Sequence, residues 1–364
     1  MSEKQRLITK YVTKLSQPVA TSFYLHFLLN ESDSSARHML ISNLNQISEE
    51  TGNPNINKCA EAAGSGKEIL DYGIYHKKDK EKKSDKDDIK DDVCITQANA
   101  LFHKLYLMDA IMVFKRVNPQ TIDYNSQRVL AESYLVLRHY DKSFRIAKKF
   151  KFKDILFASA ISLCQFDFAY SMLKEMLYDL RNIQQRNTVV SFYDLIHLAM
   201  IICFATSTTR ETSIISQRLF AASEFETTVL NDLVTDFINR DFTKFIGELE
   251  IIRSILSYSI YTCYNADKII QMIRANVVVN YVRPFSTVPF KIIENDLSLT
   301  ETEIIAVLRE KIRTNKLNAK IDLVDNCYCG GSGNTTFLDK QEIYVRAIST
   351  HEKFLLKEWK KEYR

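Results

Sequence analysis

Seven histidines, at positions 26, 38, 76, 103, 139, 197 and 351, are the first residues to weigh for chemistry. No two lie within one helical turn of each other, and the chain has no His-Glu-x-x-His pair to hold a catalytic zinc. His197 lies in an apolar run and reads as a hydrogen-bonded core histidine. Gly64-Ser65-Gly66-Lys67 resembles the end of a phosphate-binding loop. The positions that should hold the first glycine and the Ser/Thr after lysine are Glu61 and Glu68, and two carboxylates facing phosphates would repel them. Cys327-Tyr328-Cys329 offers two thiolates with no second pair or nearby histidine, which is half a zinc site. That stretch reads instead as a strand leaving through glycines 330 and 331. No Gly-x-Ser-x-Gly elbow is present. The spacings point to no enzyme, no cofactor and no resident metal.

The remaining function classes are those of binding and assembly, and the elements have to be read for them. Of 364 residues, 46% are hydrophobic, while there are only 8 glycines and 5 prolines. Helix interiors tolerate both poorly, so the composition leans α-helical. A net charge of +4 is too small to mark nucleic acid as the main partner. Seven scattered cysteines read as free thiols of a reducing compartment. The opening MSEKQRLITK has no apolar core, and the longest apolar stretch, near Leu195 to Ala205, is too short for a bilayer. The expectation is a soluble protein with no membrane partner.

Residues 1–75 read as an N-terminal helical region, closed in part by the turn Gly52-Asn53-Pro54-Asn55. Residues 76–92, HKKDKEKKSDKDDIKDD, have almost nothing to bury and read as a charged flexible linker. Residues 93–260 read as paired antiparallel helices without a strict repeat period, a degenerate α-solenoid resembling tetratricopeptide hairpins. ITQANALFHKLYLMDAIMVFKRV is read there as one helix ending at Asn118-Pro119, and Phe242 to Leu256 as another.

Residues 261–332 read as a winged helix. A long helix from Cys263 to Tyr281 breaks at Pro284 and Pro289, and a short apolar helix follows. Thr300 and Glu303 have capping-box spacing ahead of a helix at 301–314, with Ile304, Ile305, Leu308 and Ile312 as its apolar stripe. After an Asn315-Lys316 turn, Leu317, Ala319, Ile321 and Leu323 alternate as a half-buried strand should. The helix carries Arg309, Lys311 and Arg313 but also Glu301, Glu303 and Glu310, a mixed charge that disfavours nucleic-acid readout. Its strand edge is a template for another chain. Residues 333–364 read as a long final helix with Phe337, Ile343, Phe354, Leu355 and Trp359 as apolar positions. About 30 residues span about 45 Å, more than one small domain covers, so this helix reads as part of a shared bundle.

Three segments resemble the PCI-domain family of the proteasome lid, the COP-nine signalosome and a translation initiation factor. They are CFATSTTRETSIISQRLFAASEF (203–225), IRANVVVNYVRPFSTV (273–288) and NTTFLDKQEIY (334–344). The likeness is greatest to the signalosome members. It implies a non-catalytic scaffold in the nucleus and cytoplasm. The implied partners are other PCI-domain subunits, paired through the wing strand and the last helix, and an MPN-type metalloprotease subunit that carries the zinc. Through the complex, the chain would act on cullin-RING ligases in cullin deneddylation. The competing expectations are a scaffold of the proteasome lid or initiation factor, and a nucleic-acid-binding PCI protein of the mRNA-export type.

Overall fold

The computed structural model describes residues 20–21, 24, 34–64, 91–178, 189–221 and 228–331. The protein is mostly helical, in keeping with an α-solenoid. It divides into two compact units, Met1–Arg274 and Ala275–Arg364. No helix among the described residues is long and apolar enough to cross a membrane.

In the first unit, α1 (Ser34–Thr51) and α2 (Pro54–Gly64) form a hairpin. Gly52 takes the left-handed conformation that ends α1 (φ +64°), and Pro54 opens α2, where a missing N–H costs nothing. The array proper is α3 (Asp91–His103), α4 (Leu107–Phe114), α5 (Tyr124–Val136), α6 (Tyr140–Phe150), α7 (Lys153–Ser162), α8 (Phe166–Met176), α9 (Phe192–Thr206), α10 (Thr209–Ala221) and α11 (Thr228–Asn239). Each helix packs on the next. The alternate helices α3, α5, α7, α9 and α11 also pack on one another in sequence, which makes them one layer of a two-layer stack.

That layering explains which helices are apolar all round. In α9, twelve consecutive or near-consecutive residues from Tyr193 to Ala205 are buried. By contrast, α6 in the other layer buries only Tyr140, Ser143 and Ala147, the signature of an outer helix with one covered face. Around α9 the core is aromatic. Phe204 lies 5.2 Å from the Phe237 ring and 5.1 Å from Phe245, and all three are fully buried. Truncating such a ring to alanine typically costs about 3–5 kcal/mol.

Two expectations about this unit are corrected. The run ITQANALFHKLYLMDAIMVFKRV is two helices, α3 and α4, divided at Leu105, which takes φ +60°. The Tyr106 amide reaches back to the Leu101 carbonyl at 2.9 Å and the Leu105 amide to Phe102, a Schellman ending built without glycine. Leu105, Tyr106 and Leu107 are all buried, so packing offsets the backbone strain. Likewise Phe242 to Leu256 is two helices, α12 (Phe242–Gly247) and α13 (Leu249–Tyr258), parted at Gly247-Glu248. Of the expected linker, residues 76–90 lie outside the described residues, and 91–92 are helical. Asp91 and Asp92 form the first turn of α3, where carboxylates suit the helix N-terminus, and Asp91 accepts from the Thr121 hydroxyl at 2.7 Å.

The next helix, α14 (Ala266–Val282), contains the division between the units. The expected boundary at 261 falls earlier. Residues up to Arg274 belong with the array because Asp267 pairs with Arg253, and Arg274 with Glu250 at 3.8 Å, both on α13.

In the second unit the order after α14 is β1 (Thr287–Pro289), α15 (Phe290–Leu297), α16 (Glu301–Arg313), β2 (Ala319–Asp322) and β3 (Cys327–Gly330). The three strands form an antiparallel sheet in the order β1-β3-β2. Strand β1 replaces the plain break expected between Pro284 and Pro289. Pro289, lacking an N–H, closes β1 at a sheet edge, where such a residue is tolerated. Helix α16 carries the expected capping box, with the Thr300 amide donating to Glu303 at 2.8 Å and the Glu303 amide to Thr300 at 3.3 Å. Ile304 and Leu308 are fully buried.

Candidate assembly surface

The expected strand from Leu317 to Leu323 is shorter at both ends. Leu317 is buried ahead of β2, anchored through its amide to the Lys311 carbonyl at 3.2 Å. Ala319 and Ile321 are half-buried within β2. Leu323 lies past the strand in the β2–β3 turn and is 57% exposed, beside Val324 at 63%. Asp322 ends the strand by accepting from the Val324 and Asp325 amides at 2.9 and 3.1 Å. An aspartate bonding two residues on forms a turn of its own, so the alternation of Leu317 to Leu323 could not continue as strand. The sequence showed the alternating apolar side chains but not this competing bond.

Register gives the sheet its two faces. Val288, Tyr328 and Ile321 stand in one row across β1, β3 and β2, with Val288 and Tyr328 buried. Gly330 is required by close approach: a Cβ there would sit 2.7 Å from the Phe285 carbonyl oxygen. Gly331 donates to the Asn318 carbonyl at 2.9 Å, and a Cβ on it would meet the Asn318 side chain at 2.9 Å. Strand β2 pairs with β3 alone among the described residues, which leaves its outer N–H and C=O groups as a sheet edge. The other expected interface residues, Phe337, Ile343, Phe354, Leu355 and Trp359, lie outside the described residues.

Cys327 and Cys329, two apart on β3, bring their sulfurs to 3.7 Å. Burial, then the neighbouring thiol, pushes Cys327 up to about 11, so it is a thiol and not a thiolate at neutral pH. No group of three His, Cys, Asp or Glu among the described residues is placed to hold a metal ion.

A cluster of perturbed carboxylates lies in the array, at positions the sequence did not single out. Arg128 on α5 meets Glu132 at 3.1 Å and also pairs with Asp154 at the start of α7. The Asp154 and Glu132 side chains are 2% and 6% exposed. Glu132 also accepts a backbone bond from Val189, ahead of α9, so the cluster links three stacked helices of one layer. Burial outweighs Arg128 and pushes Glu132 up to about 7. Asp194, buried in the α9 capping box with Ser191, is likewise pushed up to about 7, by burial against its bonds to Ser191 and Tyr261. Raised carboxylates of this kind serve as acids in active sites. Here both are closed to solvent between helices, and the hydroxyl that donates to Asp194, that of Ser191 at 2.7 Å, is held in the α9 cap.

A second set of long-range bonds was also invisible in the sequence. The turn before α14 returns to the array: Tyr140 donates to the Ile260 carbonyl, Asn265 to the Ser162 carbonyl at 2.7 Å, and Arg138 to the Tyr264 hydroxyl at 3.2 Å. His197 is half-buried, with its ring 4.6 Å from that of Tyr193.

No protein-family model matches the chain, and no curated protein matches its sequence.

Proposed function

We propose that this chain is a non-catalytic scaffold subunit of a multiprotein complex of the PCI type, and that the complex is the COP-nine signalosome, with subunit one as its counterpart. The observation that carries the reading is the β2 edge, unpaired among the described residues, in a unit whose described order is helix, strand, helix, helix, strand, strand. That order is the one a winged helix requires, and a helical array precedes it in the chain. An edge strand offers main-chain hydrogen bonds to a neighbouring subunit's strand.

On this reading the partners are other PCI-domain subunits and the MPN-type metalloprotease subunit of the same complex. Cullin-RING ligases are reached only through that complex, whose work is cullin deneddylation in nucleus and cytoplasm. The chain needs no cofactor and no small-molecule ligand. Affinity capture of the full-length chain followed by mass spectrometry tests it. Recovery of signalosome subunits is the expected result. Recovery of proteasome-lid or initiation-factor subunits would keep the scaffold but change the complex, and recovery of no PCI-domain protein would overturn the reading. Removing residues 333–364 is expected to leave a folded chain that no longer co-purifies with those subunits.

A further inference from the structure

We propose that the outer face of α6, with the turn after it, is a docking surface for an acidic polypeptide segment. From Asp141 to Lys153 the chain carries six basic residues, Lys142, Arg145, Lys148, Lys149, Lys151 and Lys153, against the single acid Asp141. This one stretch therefore holds more net positive charge than the whole chain's +4. Lys142, Arg145, Lys148, Lys149 and Lys151 are exposed. Helix α6 packs on α5 and α7 through Tyr140, Ser143 and Ala147, which leaves its charged face outward.

Elsewhere in the array some cations are paired. Lys174 pairs with Glu211 at 3.5 Å, Lys244 with Asp236 at 2.9 Å, and Arg253 with Asp267. The six basic residues of this stretch form no ion pair with any described residue. Nor does helix stability account for all of them. Lys148 and Lys149 suit the C-terminal end of α6, but Lys142 in its first turn and Lys153 at the first position of α7 oppose the helix dipole. Lys115, after α4, adds to the same field: with Lys142 it helps burial hold His139 below the usual histidine range.

The chemistry of the surface selects among anions. Five of the six basic side chains are lysines, point charges without the fork that favours phosphate. The rings beneath them face inward. The Lys142 ammonium lies 5.4 Å from the buried Tyr134 ring, and that of Lys149 5.1 Å from half-buried Phe150, so neither ring is free to stack on a base. Lys142, Arg145 and Lys149 follow one stripe at spacings of three and four, the spacing at which a helix with acidic residues presents carboxylates.

The inference does not rest on the proposed function. The test is fluorescence anisotropy of the full chain with a labelled oligoglutamate peptide, at low and at physiological salt. Binding that weakens with salt is expected. The variant Lys142→Glu/Arg145→Glu/Lys149→Glu is expected to bind about tenfold more weakly, the sum of three exposed ion pairs. A control with the same charge change, Lys268→Glu/Lys291→Glu/Arg309→Glu, is expected to stay within about twofold. Thermal melts of both variants establish that they remain folded. Absence of peptide binding, equal weakening in both variants, or preferential binding of a single-stranded RNA oligomer over the peptide would each overturn the proposal.

Discussion

Arg128 on α5 reaches Asp154 at the start of α7, and the aspartate it meets is almost wholly closed to solvent. The pair therefore joins two helices of the same layer, and removing the aspartate leaves the largely buried Arg128 with Glu132 alone to pair with among the described residues. Asp154→Ala should destabilise the chain by about 3 kcal/mol, the lower end for breaking a buried pair. Denaturant unfolding measures it. A loss below about 0.5 kcal/mol, the scale of an exposed pair, would show that the contact is solvated.

The two raised carboxylates set a pH dependence with a definite sign. Glu132 and Asp194 sit at about 7 in the folded chain, and both should titrate near 4 once unfolded. Between those values the folded chain holds protons that the unfolded chain has released. Their contribution to stability is therefore greatest at low pH, declines from about pH 4 to about pH 7, and is flat above that. The urea midpoint should rise as pH is lowered from about 7.5 to about 5.5. The double variant Glu132→Gln/Asp194→Asn should flatten that slope, and an unchanged slope would assign it to other groups.

At the end of α11, Arg240 takes φ +63° and is exposed. Its side chain gains nothing from that backbone conformation, which glycine adopts without a Cβ penalty. Arg240→Gly should stabilise by up to about 1 kcal/mol, seen as a higher melting temperature. The converse holds at Gly52, where alanine should lower it.

Gly330→Ala should do its damage in the second unit. The added methyl meets a backbone carbonyl 2.7 Å away, which cannot swing aside as a side-chain end would. A loss of about 1–3 kcal/mol is expected. Faster amide hydrogen exchange at Gly330, whose N–H donates to the Ser286 carbonyl at 2.8 Å, should accompany it.

What the sequence made legible followed from local chemistry. Thr300 and Glu303 marked the start of α16, and Gly52 with Pro54 the α1–α2 turn, because each signal lies within a few residues of the backbone it satisfies. The division of α3 from α4 escaped for the opposite reason. Leu105 is no breaker by type, and its left-handed conformation is fixed by burial among residues brought there by the fold. The same holds for the candidate surface. Alternation placed Ala319 and Ile321 in a strand, but the third strand at Thr287–Pro289 is defined only by its pairing with Cys327–Cys329. The Arg128–Glu132–Asp154 cluster could not be read at all, since Asp154 comes from a different helix.

The stacking of alternate helices has a consequence for how the chain comes into being. Each layer is continued by a helix only two elements further along, so most of the array packs between near neighbours in sequence, and the bonds from Ile260, Tyr264 and Asn265 are made last. During synthesis, α3, α4 and α5 can already pack on one another while Arg128 still awaits Asp154 of α7. The array can be laid down helix by helix as it emerges from the ribosome, while the sheet of the second unit must wait for Cys327–Gly330, its central strand and the last of the three to be made.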